Sequence, residues 1–173
     1  MQSFDIAVIG AGIAGASVAA RLTQAGKRVV LCEMENQAGY HTTGRSAAIF
    51  APTYGPTVIR ALARASQSFF ENPPEKFSDG PLFSPRQIMM ISRADQTAAL
   101  DKLIAQIGDD PTVSVVDEPG LREINPLVRK GYASAAFLDH AGQEIDVSAF
   151  QQGFLRQFKS GGGTVMLKTE VLA

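Results

Sequence analysis

The chain of 173 residues has one cysteine, no tryptophan and no long apolar run. A single cysteine excludes an intramolecular disulfide framework and suits a reducing compartment. No stretch approaches the roughly 20 apolar residues that a membrane-spanning helix needs. The first strand pattern begins at about Phe4, which leaves no room for a signal peptide. These absences favour a cytoplasmic protein without a transmembrane segment.

A strong net charge is also absent from the sequence. Sixteen Lys and Arg residues oppose 17 Asp and Glu residues, so the net charge is −1 at pH 7. The basic residues are scattered, and such a chain has no electrostatic reason to bind nucleic acid or an anionic membrane. Motifs for metal binding, a nucleophile elbow or a Walker phosphate loop are missing as well. We therefore expect neither nucleic acid nor a metal ion as a partner.

The sequence does contain a strand, a glycine-rich turn, a helix and a second strand within its first 35 residues. Gly10 permits a tight turn, Gly12 lets the backbone approach a phosphate group, and Gly15 lets the helix pack closely on the strand. Glu33 follows Gly10 by 23 positions, at the end of the second strand. A carboxylate in this place accepts the hydroxyl groups of an adenosine ribose. The pattern predicts a dinucleotide site, for NAD or for FAD.

Hydrophobic periodicity predicts an α/β fold for the rest of the chain. The helix and strand patterns at the two ends of the chain predict one parallel, doubly wound sheet. The strand patterns in the middle of the chain predict an inserted sheet layer. Because the parallel sheet has so few strands, we expect the chain to be the N-terminal part of a longer polypeptide. Asp95 is predicted to cap a helix. Helix patterns cover residues 13–25, 56–71, 95–107, 118–128 and 147–158, and strand patterns cover 4–9, 28–34, 85–92, 113–116, 132–138 and 164–167.

A second loop of small residues favours FAD over NAD. Residues 35–54 have no sustained period, and residues 42–48 are rich in Thr, Gly, Ser and Ala. Such a loop soon after the ribose acid is unusual in a simple NAD domain. It is common in flavoproteins, where it wraps the pyrophosphate and the inner edge of the flavin ring. An NAD-binding dehydrogenase domain remains the alternative.

These segments resemble the D-amino-acid oxidase-like group of FAD-dependent oxidoreductases, which includes glycine oxidase and sarcosine oxidase. Within this group, the segments at 41–48 (His-Thr-Thr-Gly-Arg-Ser-Ala-Ala), 54–56, 60–62, 69–74 and 84–86 are similar to bacterial D-arginine dehydrogenases. The resemblance implies an FAD-binding Rossmann-like parallel sheet with an inserted, β-rich substrate-domain segment. It also implies oxidation of the Cα–N bond of an amino acid or secondary amine. In that reaction a hydride passes to flavin N5, and the imine product hydrolyses.

The resemblance implies three segments along the chain. Residues 1–80 and 145–173 would belong to the FAD-binding domain, and residues 81–144 would belong to the substrate domain. Tyr54 would sit on a lid over the substrate. Cofactor contacts would come from Gly10, Gly12, Ile13, Ala14, Gly15, Glu33, Met34, Thr42, Thr43, Gly44, Arg45, Ser46, Ala47, Ala48 and Val171.

Two positions depart from the D-arginine dehydrogenase pattern in the predicted substrate pocket. Ile49 stands where those enzymes have a histidine, and Ile88 stands where they have a glutamate that pairs with the substrate's cationic side chain. An apolar wall leaves a guanidinium unpaired, which costs several kcal/mol of desolvation. We therefore expect a smaller or apolar amine as substrate. The resemblance does not indicate which molecule serves as the electron acceptor.

Further expectations concern catalysis itself. Related enzymes carry a substrate-binding arginine and the last flavin-binding loop beyond position 173, so the isolated chain is expected to turn over weakly or not at all. A non-catalytic fragment that retains the cofactor site is therefore another alternative. His41 and His140 are candidate acid–base groups, but the sequence offers them no nearby catalytic partner, which favours structural roles.

Overall fold

The computed structural model describes residues 3–172, which divide into two compact units. The first unit contains residues 3–48, 67–84 and 145–172, and the second contains residues 49–66 and 85–144. Helix α2 (Thr57–Glu71) contributes residues to both units. The functional division at residues 80 and 144 stays a prediction. The structural division differs from it by placing residues 49–66 with the second unit and residues 81–84 with the first.

A parallel three-stranded sheet forms the first unit's framework, in the order β1-β2-β9. Its strands are β1 (Ile6–Ile9), β2 (Val29–Cys32) and β9 (Thr164–Met166). The central strand β2 is buried along its whole length, as expected of a parallel strand covered on both faces. This sheet confirms the α/β fold class predicted from the sequence.

Two helices of the first unit pack against each other, α1 (Ile13–Gln24) and α5 (Val147–Ser160). Helix α1 buries Ala16, Ala19 and Ala20 completely, and these small side chains allow close packing. The Asp146 carboxylate caps α5 by accepting a hydrogen bond from the Ala149 N–H at 2.7 Å.

Phenylalanine rings fill the rest of the first unit's core. Phe77 is 1% exposed and meets the Phe154 ring edge-on, with 5.0 Å between ring centroids. Phe69 stacks on Phe154 at 5.8 Å, and Phe70 and Phe150 lie 4.6 Å apart. Aromatic pairs at these separations add to the stability gained from burial. The aromatic face of α5 is therefore part of the core.

The second unit contains an antiparallel sheet in the order β5-β7-β6, formed by β5 (Ile88–Ser92), β7 (Ala135–Asp139) and β6 (Val113–Asp117). Asp139 at the end of β7 lies opposite both Ile88 and Val113. The sheet is accompanied by α3 (Thr97–Ile107) and α4 (Glu118–Ile124), and Leu121 of α4 packs on Ala136 of β7 in a small core. This is the inserted sheet that the middle strand patterns predicted.

Three very short strands were not predicted from the sequence. They are β3 (Ile49–Phe50), β4 (Phe83–Pro85) and β8 (Gln143–Ile145). Strands β3 and β8 pair antiparallel, with Ile49 opposite Glu144. Segments of two or three residues are too short to display an alternating pattern, so only long-range pairing identifies them.

The predicted capping role of Asp95 is wrong. Asp95 lies in a 3₁₀ turn at Ala94–Gln96, and α3 begins after Gln96. The Asp95 carboxylate instead accepts a hydrogen bond from Arg93 Nε at 3.0 Å. This ion pair takes the carboxylate away from the helix N–H groups.

An exposed ion pair joins the beginnings of β1 and β2. Arg28 Nη2 donates to Asp5 Oδ1 at 2.6 Å, and the Arg28 backbone N–H donates to Asp5 Oδ2 at 2.9 Å. The side-chain hydrogen bond from Arg28 lowers the pKa of Asp5 from 3.8 to about 2.

Within residues 3–172, no helix is both long enough and apolar enough to cross a bilayer.

Candidate functional site

A cavity of about 410 Å³ opens in the first unit, where β1 and β2 end. Ligand sites of small molecules have volumes in this range, and at parallel sheets they lie beyond the carboxyl ends of the strands. The cavity is lined by Ile9, Gly10, Gly12, Cys32, Glu33, Met34, Gly39, Tyr40, His41, Thr42, Thr43, Thr169, Glu170 and Val171.

The glycine-rich turn brings backbone rather than side chains to this cavity. Gly10 has φ +92°, a conformation that disfavours residues with a Cβ. A Cβ on Gly15 would overlap the Gly10 carbonyl oxygen, and one on Gly12 would lie 3.1 Å from Thr43 Oγ1. Helix α1 begins at Ile13, and the N–H groups of Ala14 and Gly15 accordingly have no acceptor among the described residues.

Glu33 connects the end of β2 to the glycine-rich turn. Its side chain is 7% exposed, and its Oε2 accepts a hydrogen bond from the Ala11 N–H at 2.8 Å. Its Oε1 accepts from the Glu35 N–H at 3.0 Å. Each carboxylate oxygen has two lone pairs, so both oxygens retain acceptor capacity toward a ligand hydroxyl.

The second small-residue loop contacts the glycine-rich turn through Thr43. The Ile13 N–H donates to Thr43 Oγ1 at 3.0 Å, and Thr43 is 9% exposed. Farther along the loop, the Gly44 N–H donates to the Gly39 carbonyl at 2.8 Å. The Arg45 guanidinium lies over the Tyr40 ring, 5.1 Å from its centroid. These contacts order both loops around one cavity.

The predicted cofactor contacts do not all lie at this cavity. Ile13 is connected to it through its hydrogen bond to Thr43. Ala14 and Gly15 belong to the first turn of α1. Ala48 has φ +57° and donates its N–H to Ser46 Oγ at 3.1 Å. The cavity is lined by Gly10, Gly12, Glu33, Met34, Thr42, Thr43 and Val171 of the predicted set, and not by Ile13, Ala14, Gly15, Gly44, Arg45, Ser46, Ala47 or Ala48.

His41 lines the cavity but was not among the predicted cofactor contacts. Its Nε2 lies 2.8 Å from Glu35 Oε1, a carboxylate contact that the sequence pattern did not indicate. Among the described lining residues it is the side chain that can carry positive charge, since Glu33 and Glu170 are acids. A phosphate here would therefore depend mainly on backbone N–H groups and the helix dipole.

The predicted substrate residues all belong to the second unit. Tyr54 is 65% exposed and lines a separate cavity of about 440 Å³ together with Met90 and Leu103. Ile49 is 43% exposed in β3. Ile88 is the first residue of β5 and lies opposite Asp139 of β7. Neither isoleucine lines the Tyr54 cavity.

Buried polar groups fix the backbone on both sides of Tyr54. The Thr53 hydroxyl donates to Asp139 Oδ2, and both side chains are fully buried. On the other side, Arg60 is 5% exposed and donates from Nη1 to the Gly55 carbonyl at 2.8 Å. Sequence patterns do not identify this arrangement, since Thr53 and Asp139 are far apart in the chain. The turn that carries Tyr54 is thus anchored at both ends.

His140 has a hydrogen-bond arrangement that does not suit general-base catalysis. The Gln87 amide nitrogen lies 2.8 Å from its Nδ1, and Ser114 Oγ lies 2.9 Å from its Nε2. Because an amide NH₂ only donates, Nδ1 is the acceptor and Nε2 carries the proton. The His140 N–H is therefore directed at Ser114, and the ring cannot remove the serine's proton in this tautomer.

The residues at the first cavity fit the phosphate and ribose groups of a dinucleotide. Gly10 leaves open space where a Cβ would stand, Gly12 brings its backbone close to Thr43, the helix N-terminus provides N–H groups, and Glu33 provides acceptors. Within residues 3–172, no three His, Cys, Asp or Glu residues lie close enough together to hold a metal ion.

Solved structures share this fold over nearly the whole chain. The L-α-glycerophosphate oxidase of Mycoplasma pneumoniae, with FAD bound, has a TM-score of 0.80 and 16% identity, over 99% of this chain and 46% of that chain. Glycine oxidase from Bacillus cereus has a TM-score of 0.75 and 18% identity, over 98% and 48%. L-proline dehydrogenase from P. horikoshii has a TM-score of 0.76 and 19% identity, over 99% and 46%.

The chain thus spans about half the length of these structures. A family model described as FAD dependent oxidoreductase matches residues 5–173. FAD, rather than NAD, is the cofactor of that family, in agreement with the prediction from the second loop. The chain belongs to the FAD-dependent oxidoreductase family.

Proposed function

We propose that the whole protein oxidises the Cα–N bond of a small or apolar amino acid or secondary amine. Bound FAD would supply the chemistry by accepting a hydride from the α-carbon, and the resulting imine would hydrolyse in water. The observation that carries this proposal is the cavity shared by the glycine-rich turn and the second loop, which are joined by the Ile13–Thr43 hydrogen bond. Similar solved structures named as glycine oxidase and L-proline dehydrogenase support the choice of donor.

In this proposal, the first unit binds the adenosine and phosphate groups of the cofactor. The N–H groups of Ala14 and Gly15 would donate to phosphate oxygens, and Glu33 would accept from the ribose hydroxyls through its remaining lone pairs. Val171 would meet the adenine with its backbone. The second loop, residues 42–48, would bind the pyrophosphate and the flavin.

The second unit contributes the proposed substrate residues. Tyr54 positions the amine through its hydroxyl, and the anchored turn limits the motion of its backbone. Ile49 and Ile88 form apolar wall where D-arginine dehydrogenases are polar. An unpaired guanidinium against such a wall loses its hydration without compensation, so D-arginine is a poor substrate in this proposal.

Titration of the protein with FAD tests cofactor binding first. We expect uptake of FAD with the two visible flavin absorption bands, and no displacement of bound FAD by excess NAD. A protein that takes up NAD and leaves FAD free would contradict the proposed cofactor site.

Anaerobic bleaching of the FAD-loaded whole protein then tests the donor class. Glycine, sarcosine, D-alanine, D-proline and D-arginine serve as amine donors, and glycerol 3-phosphate serves as the alcohol donor. We expect the small and apolar amines to bleach the flavin, with D-arginine slower by about tenfold or more. Bleaching by glycerol 3-phosphate alone would refute amine oxidation, and tight FAD binding without bleaching by any donor would favour a non-catalytic role.

A further inference from the structure

Helix α5 carries a buried amide that reaches the glycine-rich turn from the far end of the sequence. Gln151 is 5% exposed, and its Nε2 donates a hydrogen bond to the Ala11 carbonyl at 2.6 Å. The next residue, Gln152, is exposed. A buried amide loses its hydration on folding, and a well-aligned partner compensates for that loss. The hydrogen bond to Ala11 therefore distinguishes the buried Gln151 from its exposed neighbour Gln152.

The Ala11 residue is held from both directions. It is fully buried, its N–H donates to Glu33 Oε2 at 2.8 Å, and its carbonyl accepts from Gln151. Ala11 lies between Gly10 and Gly12, which have little conformational restriction of their own. Fixing both polar groups of the intervening residue thus restricts the turn that lines the cofactor cavity.

The same amide contacts Gly39, which lies just before the second loop. A Cβ on Gly39 would overlap the Oε1, Nε2 and Cδ atoms of Gln151. Gly39 has φ +76° and accepts a hydrogen bond from the Gly44 N–H at 2.8 Å. One side chain therefore touches both the glycine-rich turn and Gly39, a cavity residue that is hydrogen-bonded to the second loop.

We propose that Gln151 is a positioning residue of the cofactor cavity, holding the glycine-rich turn and the second loop in register for the adenosine pyrophosphate. This inference rests on the proposed FAD site. A neutral amide is suited to the role because it donates to a carbonyl and packs its oxygen against a glycine Cα. Leucine has a similar volume, but it leaves the Ala11 carbonyl without a partner.

Ligand affinity of matched variants tests the inference. Gln151→Leu and the control Gln152→Leu are titrated with ADP and with FAD, at a temperature at which circular dichroism shows each variant folded. We expect Gln151→Leu to weaken both ligands by about tenfold, and Gln152→Leu to match the wild type. Equal affinities of Gln151→Leu and the wild type would overturn the inference. A wild type that binds neither ligand would instead refute the proposed FAD site.

Hydrogen–deuterium exchange tests the positioning role without any ligand. In the wild type, hydrogen bonds protect the N–H groups of Ala11, Ile13 and Gly44. We expect faster exchange in both loops of Gln151→Leu, while β5 and β7 exchange as before. Unchanged exchange in either loop would contradict the inference. If Gln151 served only for packing, Gln151→Leu would lower the unfolding midpoint. It would leave the ligand affinity and the exchange of both loops in the folded protein unaltered.

Discussion

At the level of single residues, Glu33 accepts hydrogen bonds from two backbone N–H groups of the protein itself, those of Ala11 at 2.8 Å and Glu35 at 3.0 Å. The carboxylate therefore helps to form the cavity as well as to line it. Because it is 7% exposed, its loss leaves those donors with restricted access to water. Its effect on stability can be separated from its proposed effect on ribose binding.

We expect Glu33→Ala to lower the free energy of unfolding by about 2–4 kcal/mol, since each orphaned donor costs about 1–3 kcal/mol. Urea denaturation measures the change. Glu170→Ala removes an exposed carboxylate from the same cavity and is expected to change stability by less than about 0.5 kcal/mol. Equal destabilisation by the two substitutions would show that the Glu33 hydrogen bonds contribute no stability of their own.

The sequence predicted those site residues that depend on local spacing. Gly10, Gly12 and Glu33 follow from the strand–turn–helix order, and all three line the cavity. Gln151 could not be predicted, because its contact with Ala11 spans 140 positions and α5 shows only an ordinary amphipathic pattern. The Thr53–Asp139 pair was missed for the same reason.

At the level of elements, the Asp5–Arg28 pair joins β1 and β2 at the ends opposite to the cavity. The pKa of Asp5 is lowered by this partner to about 2. A carboxyl whose pKa is depressed in the folded state stabilises that state above its unfolded-state pKa. The contribution is lost as the pH falls through the folded-state value.

We expect Asp5→Asn to be less stable than the wild type near neutral pH, with a difference that shrinks between about pH 4 and about pH 2. Urea denaturation midpoints across that range measure it. Asp79→Asn, at an exposed position, controls for the general effect of removing a carboxylate. A difference that persists unchanged at about pH 2 would mean that the ionised pair is not its source.

Strand length decided how well the elements could be predicted. Strand β2 is buried on both faces, and its continuous apolar run identifies it. Strand β3 has two residues and exists through its pairing with β8. The Asp95 prediction failed at the same level, because an N-cap pattern cannot reveal that Arg93 competes for the carboxylate.

At the level of the whole molecule, the described lining of the proposed cofactor cavity belongs entirely to the first unit. That unit is assembled from three separate stretches of chain, and the second unit is formed largely by the insertion between them. A ligand that contains the adenosine and phosphate groups, but not the flavin, is therefore expected to act on the first unit.

We expect saturating ADP to slow hydrogen–deuterium exchange in residues 10–15, 39–45 and 169–171, because these segments line or border the cavity. Residues 88–92 and 135–139 of the antiparallel sheet should exchange at the rate of the free protein. Adenosine alone, which lacks the phosphates, serves as the control and should protect residues 10–15 less. Protection centred on the antiparallel sheet would place the nucleotide elsewhere.

The sole cysteine of the chain, Cys32, lies at the end of β2 and is 8% exposed at the cavity wall. The reactivity of its thiol can therefore be used to monitor the cavity. A ligand in the cavity is expected to slow the reaction of Cys32 with a coloured thiol reagent, because Cys32 lines that cavity. Occupancy can in this way be followed with an unmodified sequence and without a flavin signal.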